Sequence, residues 1–251
     1  MDDGILLQTE RLTLRYDDFI AVRNVSLRVR RGTIHSIIGP NGAGKTSLFH
    51  CLTGNRRPTA GKILFGGIDV ARRPAFSRIA AGMARSFQVT SLFQNLTVRE
   101  NLRLAAQGRT MRQALIFWKP ASRLAHHTAT ADRVLERLGM TGRADAKAGE
   151  LSHGQQRLLE VGMALAAQPR LLLLDEPTSG MGIDDIPAMT RLIKELSADH
   201  TILLIEHNMS IVMSISDTVS VMHQGCLLVE GPPDTVRNDP HVREAYLGEA
   251  V

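Results

Sequence analysis

The chain has few cysteines, few aromatic residues and no long apolar run. Two cysteines in 251 residues, Cys51 and Cys226, give neither a disulfide framework nor the paired spacing of a zinc site. They read as small packing residues in a reducing compartment. Apolar runs such as Leu171 to Leu174 are far shorter than the ~20 residues a membrane-spanning helix needs. The opening Met1-Asp2-Asp3-Gly4 is acidic and lacks a basic segment followed by an apolar one, so no signal peptide is expected. These absences predict a chain that is soluble by itself and that serves a membrane, if at all, by docking to another protein's helices. The hydrophobic fraction of 43% is enough for one large α/β domain, or a core with a small subdomain. The net charge of +5 fits nucleic acid, an anionic membrane surface, phosphate ligands or ordinary solubility.

One stretch organises the rest. Gly39-Pro40-Asn41-Gly42-Ala43-Gly44-Lys45-Thr46-Ser47 matches the phosphate-binding loop G-x-x-x-x-G-K-[ST]. Thr33 to Ile38 before it reads as a buried strand, and Ser47 to Leu52 after it as the start of a helix. Glycines let backbone N–H groups turn inward around a phosphate without Cβ clashes. The helix N-terminus adds its positive dipole end. In that context Lys45 reaches the β- and γ-phosphates, the Thr46 hydroxyl ligates Mg²⁺, and Ser47 bonds a further phosphate oxygen.

Residues 5–30 alternate apolar and polar, as strands with one wet face do, with a turn at Asp17-Asp18. Tyr16 is a packed strand aromatic or, beside a nucleotide, a platform for the adenine ring. Lys62 to Phe65 reads as a short strand, Phe76 to Met83 as a helix, and Ala84 to Phe87 as a strand delivering Gln88 to a loop. Gln88 is an ordinary loop residue unless that strand end faces phosphates. Residues 101–131 contain no Asp or Glu, yet carry Arg103, Arg109, Arg112, Lys119, Arg123 and the lone Trp118. Such a basic segment is a nucleic-acid, membrane-surface or docking face, or a helical subdomain burying Trp118.

Asp132 to Leu138 completes a helix stopped by Gly139. At Leu151-Ser152-His153-Gly154-Gln155, Ser152 stands where an N-cap should, ahead of an apolar-periodic helix from Leu158 to Ala167. Leu171 to Leu174 runs into Asp175-Glu176, the pattern of a buried parallel strand with carboxylates at its C-terminal end, where ligands of open α/β sheets bind. Asp175 then holds Mg²⁺, directly or through water, and Glu176 orients and deprotonates an attacking water. Ile183 to Leu196 reads as a helix. Thr201 to Ile205 reads as a parallel neighbour ending in Glu206-His207; a neutral imidazole there can bond a γ-phosphate oxygen or the water. Residues 218–230 read as a hairpin around Gln224-Gly225, followed by two short helices.

Together these pieces resemble the ATP-binding subunits of ABC transporters over essentially the whole chain. Leu151 to Gln155 resembles that family's signature, and the order Tyr16, phosphate loop, Gln88, signature, Asp175-Glu176, His207 fits. Ala84 to Gln88, Ile205-Glu206-His207-Asn208-Met209 and Glu244-Ala245-Tyr246-Leu247-Gly248 are similar to the branched-chain amino-acid or urea importer group. The resemblance implies a P-loop NTPase (RecA-like) core with an antiparallel β-subdomain and a helical subdomain near residues 89–165, all within one domain, 1–251. It implies that ATP and Mg²⁺ are bound by Tyr16, Gly39, Asn41, Gly42, Ala43, Gly44, Lys45, Thr46, Ser47, Gln88, Ser152, Gly154 and Gln155, with Thr46, Gln88 and Asp175 on the metal and Glu176, His207 and Lys45 in catalysis. It implies a head-to-tail pair of ATPase subunits, identical or paralogous, each site completed by the other's Ser152–Gln155 turn. It also implies two permease subunits, an extracytoplasmic solute-binding protein, and a peripheral place on the cytoplasmic face of the inner membrane. Two positions depart from the family pattern: His153 replaces a glycine of the signature, and Gly182 stands where many relatives carry an aspartate, with Asp184 and Asp185 slightly later. A non-transport ATPase acting on ribosome or nucleic acid is the alternative, supported by the basic balance alone; such relatives usually carry two nucleotide domains, and this chain has one.

Overall fold

The computed structural model describes residues 4–86, 92–108 and 121–247, with the side chains of 121–124 and 247 left aside. Its centre is a six-stranded sheet. Strands β4 (Ile34–Ile38), β7 (Met83–Arg85), β8 (Leu171–Asp175), β9 (Thr201–Ile205) and β10 (Thr218–His223) are parallel, and β11 (Cys226–Gly231) closes one edge as an antiparallel hairpin with β10. The order is β11-β10-β4-β9-β8-β7. Every residue of β4, β8 and β9 is buried, which is why Leu171–Leu174 and Ile202–Ile205 read as unbroken apolar runs instead of alternating ones; β4 also buries the polar His35 and Ser36. The pleat divides them by parity. Leu172, Leu174, Ile202 and Leu204 join the apolar cluster on one face, and Leu171, Leu173, Leu203 and Ile205 join the cluster on the other.

The second face is covered by α1 (Lys45–Thr53) and by a smaller antiparallel sheet. Strands β1 (Ile5–Tyr16), β2 (Phe19–Val25), β5 (Ala60–Phe65) and β6 (Ile68–Asp69) run in the order β2-β1-β5-β6, and β3 (Arg28–Arg30) also pairs with β1. β1 runs without a break from Ile5 to Tyr16, although its alternation is interrupted near Arg11. It absorbs the interruption as a bulge at Arg11, whose φ is +46°, next to a shift in register.

The first face carries α5 (His153–Ala166) and α6 (Ile186–Leu196), and α3 (Val98–Gly108) and α4 (Ala121–Arg137) pack on α5. Leu102, Val134, Leu135 and Leu138 share one apolar cluster with Leu159, Leu172 and Leu174, so these helices continue the core of the main sheet. α2 (Ala75–Ala81) ends at Gly82, and Met83 starts β7 instead of ending the helix, because Gly82 turns the chain at φ +102°. α6 starts at Ile186, later than Ile183; Pro187 in its first turn fits a helix start there. α5 starts at His153, a full turn before Leu158: the polar residues that read as a turn are the first turn of the helix. α7 (Met209–Ile215), α8 (Pro233–Asn238) and α9 (Pro240–Leu247) pack beside β10 around Ile38, Val212, Val219, Val236 and Val242. No helix among the described residues is long and apolar enough to cross a membrane.

Candidate functional site

The glycine loop between β4 and α1 is shaped from both sides. A Cβ on Gly39 would strike the carbonyl of Met222, and one on Gly44 the carbonyl of Ala21, both at positive φ. The glycines therefore serve the close approach of β10 and β2 from behind as well as the cradle in front. Main-chain bonds from Gly225 N to Ala43 O at 3.0 Å and Arg23 N to Gly225 O at 2.7 Å buttress the loop from the hairpin. α1 begins with no side-chain cap and no acid in its first turn, so its leading N–H groups stay available to an anion. Lys45 is buried and folds over the loop, its Nζ donating to Gly39 O at 2.5 Å and Pro40 O at 2.8 Å. Thr46 is exposed and Ser47 half-buried on the first turn. The far end of α1 is held by Arg78, which is almost fully buried. Its guanidinium donates to the carbonyls of Cys51 at 2.6 Å, Leu52 at 2.7 Å, Ala71 at 3.1 Å and Arg73 at 3.1 Å. A cation there also suits the negative end of the helix dipole.

The acids lie at the C-terminal ends of the neighbouring strands. Asp175 is 4% exposed, and neither carboxylate oxygen has a hydrogen-bond partner among the described residues. Burial, and then the adjacent Glu176, raise its pKa from 3.8 to about 6, against the pull of Arg85, His207 and Lys45. A buried carboxylate left open in this way is the donor a hard cation needs, so Asp175 fits Mg²⁺. Glu176 stands at φ +48°, its N–H donating to Ile205 O at 2.8 Å. Its Oε1 lies 2.6 Å from His207 Nε2. With its proton on Nε2, the imidazole donates to that carboxylate.

Ser152 caps α5 in a complete capping box: its Oγ accepts from Gln155 N at 3.3 Å, and Ser152 N donates to Gln155 Oε1 at 3.2 Å. His153 and Asp185 each pack on a glycine near this turn. The His153 ring lies over Gly180, and the Asp185 carboxylate packs on Gly154 at the start of α5. The later aspartate thus stands against the signature turn of its own chain. Tyr16 is 37% exposed at the end of β1, with the Arg56 guanidinium 5.8 Å from its ring centre. Gln88 and Trp118 lie outside the described residues.

The comparisons follow this geometry. The ABC transporter family model matches residues 22–179, and the branched-chain amino acid ATP-binding cassette transporter model matches residues 226–251. The chain belongs to the ABC transporter family. The cassette is 43% identical over 253 residues to the high-affinity branched-chain amino acid transport ATP-binding protein LivG of Salmonella typhimurium, with 98% of each chain covered. It is 41% identical over 252 residues to BraF of Pseudomonas aeruginosa, a protein of the same description, again with 98% of each covered. In fold it is similar to a nucleotide-free ATP-binding cassette from an ABC transporter (TM-score 0.84, 30% identity, 96% of this chain and 98% of that one). It is equally similar to a cassette in its ADP conformation (TM-score 0.84, 31% identity, 97% and 99%). It is therefore an ATP-binding, ATP-hydrolysing subunit of a membrane transport system, with the P-loop fold its sequence predicted.

Two participants escaped the sequence. Glu206 is buried beside His207 and bonds the segment that follows Glu176; its only signal was an acid next to a histidine at a strand end. Arg78 gave none, because an arginine within a short helix reads as a solvated residue.

Proposed function

We propose that the chain is the ATPase of an importer for branched-chain amino acids or a related small polar solute such as urea. It works with a second ATPase subunit, two permeases and an extracytoplasmic binding protein, at the cytoplasmic face of the inner membrane. The relatives' description and the match over residues 226–251 support the cargo class. Residues of about 89–165 act as the helical subdomain that meets the permease, and the remainder as the catalytic core.

The observation that carries the catalytic reading is the meeting of Glu176 with His207, 2.6 Å apart at the ends of adjacent parallel strands. Lys45 exchanges its loop carbonyls for β- and γ-phosphate oxygens, while Gly39, Asn41, Gly42, Ala43, Gly44 and Ser47 cradle the phosphates. Asp175 and Thr46, with Gln88, would hold Mg²⁺, which when bound neutralises phosphate charge. Glu176 accepts the proton of the attacking water, and His207 orients Glu176. Tyr16 stacks on adenine. Ser152, Gly154 and Gln155 face the nucleotide of the partner subunit, where the open end of α5 favours an anion.

Glu176→Gln should keep ATP affinity within about twofold and lower kcat about a hundredfold or more. Lys45→Ala should remove affinity itself. Parental turnover in the first, or parental binding in the second, would overturn the assignments. Gentle solubilisation of native membranes and capture of the tagged chain should recover two polytopic proteins and a second ATPase subunit; ribosomal proteins in their place would overturn the transport assignment.

A further inference from the structure

Glu206 directly follows the last residue of β9, one residue before His207, and is 3% exposed. Both its oxygens are fully engaged, and no cation is among the donors. Oε1 accepts from Thr178 N at 3.1 Å and from Thr178 Oγ1 at 2.5 Å. Oε2 accepts from His207 N at 3.0 Å and from Asn208 N at 3.4 Å. One carboxylate therefore joins two turns on adjacent strands. Thr178 is two residues past Glu176, and His207 is its other tether.

Each turn has local bonds of its own, Ser179 N to Glu176 O at 3.0 Å in one and Ser210 N to Asn208 Oδ1 at 3.0 Å in the other, and Glu206 is the side chain that ties the two together. Glu176 sits in left-handed backbone at φ +48°, a conformation a non-glycine residue keeps only when its surroundings impose it. The bond from Glu176 N to Ile205 O fixes the residue from one side, and the two bonds from Thr178 to Glu206 fix it from the other. The His207 side chain is half-exposed and projects from a turn whose main chain leans on the same carboxylate. Four N–H and O–H donors converge on two acceptor oxygens, an arrangement that an amide cannot reproduce. Gln in place of Glu would point an NH₂ group at N–H donors on one side or the other and release that turn.

We propose that Glu206 is a positioning residue for hydrolysis: its buried carboxylate pins the turn after Glu176 to the turn that carries His207, and so fixes the Glu176–His207 contact. The role rests on the catalytic reading of that pair. Both oxygens of Glu206 are taken up by Thr178, His207 and Asn208, so it acts through Glu176 and His207.

The test uses the full chain in a preparation where the parent hydrolyses ATP. It compares Glu206→Gln, Thr178→Val and Thr178→Ser in kcat, in affinity for a fluorescent ATP analogue and in melting temperature. Glu206→Gln should lower kcat about tenfold or more with analogue affinity within about twofold. Thr178→Val, which removes one of the four donors at constant volume, should lower kcat about threefold, and Thr178→Ser should restore it. Parental kcat in Glu206→Gln would overturn the proposal. If Glu206→Gln loses turnover, affinity and melting temperature together, Thr178→Val decides: parental kcat there overturns the proposal, and a kcat loss rescued by serine sustains it. Parental kcat in Glu176→Gln, measured alongside, would instead overturn the catalytic reading of the site. A working parent with a Glu206→Gln variant that keeps pace rejects the role of Glu206 alone.

Discussion

Asp175 and Glu206 are two buried acids at the same edge of the same sheet, on adjacent parallel strands, and their surroundings differ completely. Glu206 takes four hydrogen bonds; Asp175 takes none, and burial pushes its pKa to about 6. A satisfied carboxylate is part of the framework, whereas an open one is an uncompensated cost that folding leaves for a ligand to remove. That cost is roughly 3 kcal/mol, taking about two pKa units at ~1.4 kcal/mol each. The strand that carries Asp175 can bear it. Leu171 to Leu174 are each no more than 1% exposed, and at ~2 kcal/mol per buried leucine they contribute about 8 kcal/mol as an upper estimate.

The sharpest way to break the contrast is Asp175→Asn. It should lower Mg²⁺-dependent hydrolysis about a hundredfold or more, and yet stabilise the metal-free chain by about 1–3 kcal/mol at pH 8, read from the denaturant midpoint. A variant that unfolds more easily than the parent would mean that the carboxylate is compensated after all. pH sharpens the same point. A carboxyl raised from 3.8 to about 6 stabilises the fold below pH 3.8, and that contribution is lost as pH rises through 6. The stability advantage of Asp175→Asn should therefore vanish near pH 4 and be complete above pH 7. Mg²⁺ affinity should weaken about tenfold per unit below pH 6 as protons compete. The variant comparison matters because buried His35, lowered to about 4 by burial, works in the opposite sense. Its stabilisation is present above pH 6.5 and lost as pH falls through 4. The parent's own pH curve mixes the two, and the difference between parent and variant isolates Asp175. The smallest effect belongs to Ser152. Ser152→Ala removes the cap of α5 at about 1 kcal/mol of stability. If that turn also receives the partner's phosphate, turnover should fall further than the lost stability explains; equal losses would reduce Ser152 to a cap.

Much of this was legible because the informative signals are local. The glycine loop, the four leucines ending in two acids and the Ser–x–x–Gln cap each fit within a few consecutive residues, and each fell on the expected element. Boundaries slipped where a single residue decided them. Gly82 ends α2 before Met83, and α5 starts at His153, directly after its cap Ser152, instead of at Leu158, because a capped helix exposes a polar first turn.

The sequence by itself determined the phosphate loop, the order of the parallel strands' motifs and the family, because backbone conformation and strand chemistry are set by near neighbours. Only the tertiary structure decided which groups each acid meets. Glu206 meets a threonine 28 positions away, and the Asp175 carboxylate meets no hydrogen-bond donor among the described residues. Glu176 and His207, 31 positions apart, touch because β8 and β9 lie side by side. Partners supplied by a neighbouring strand are set by sheet register, and no spacing within one segment encodes them.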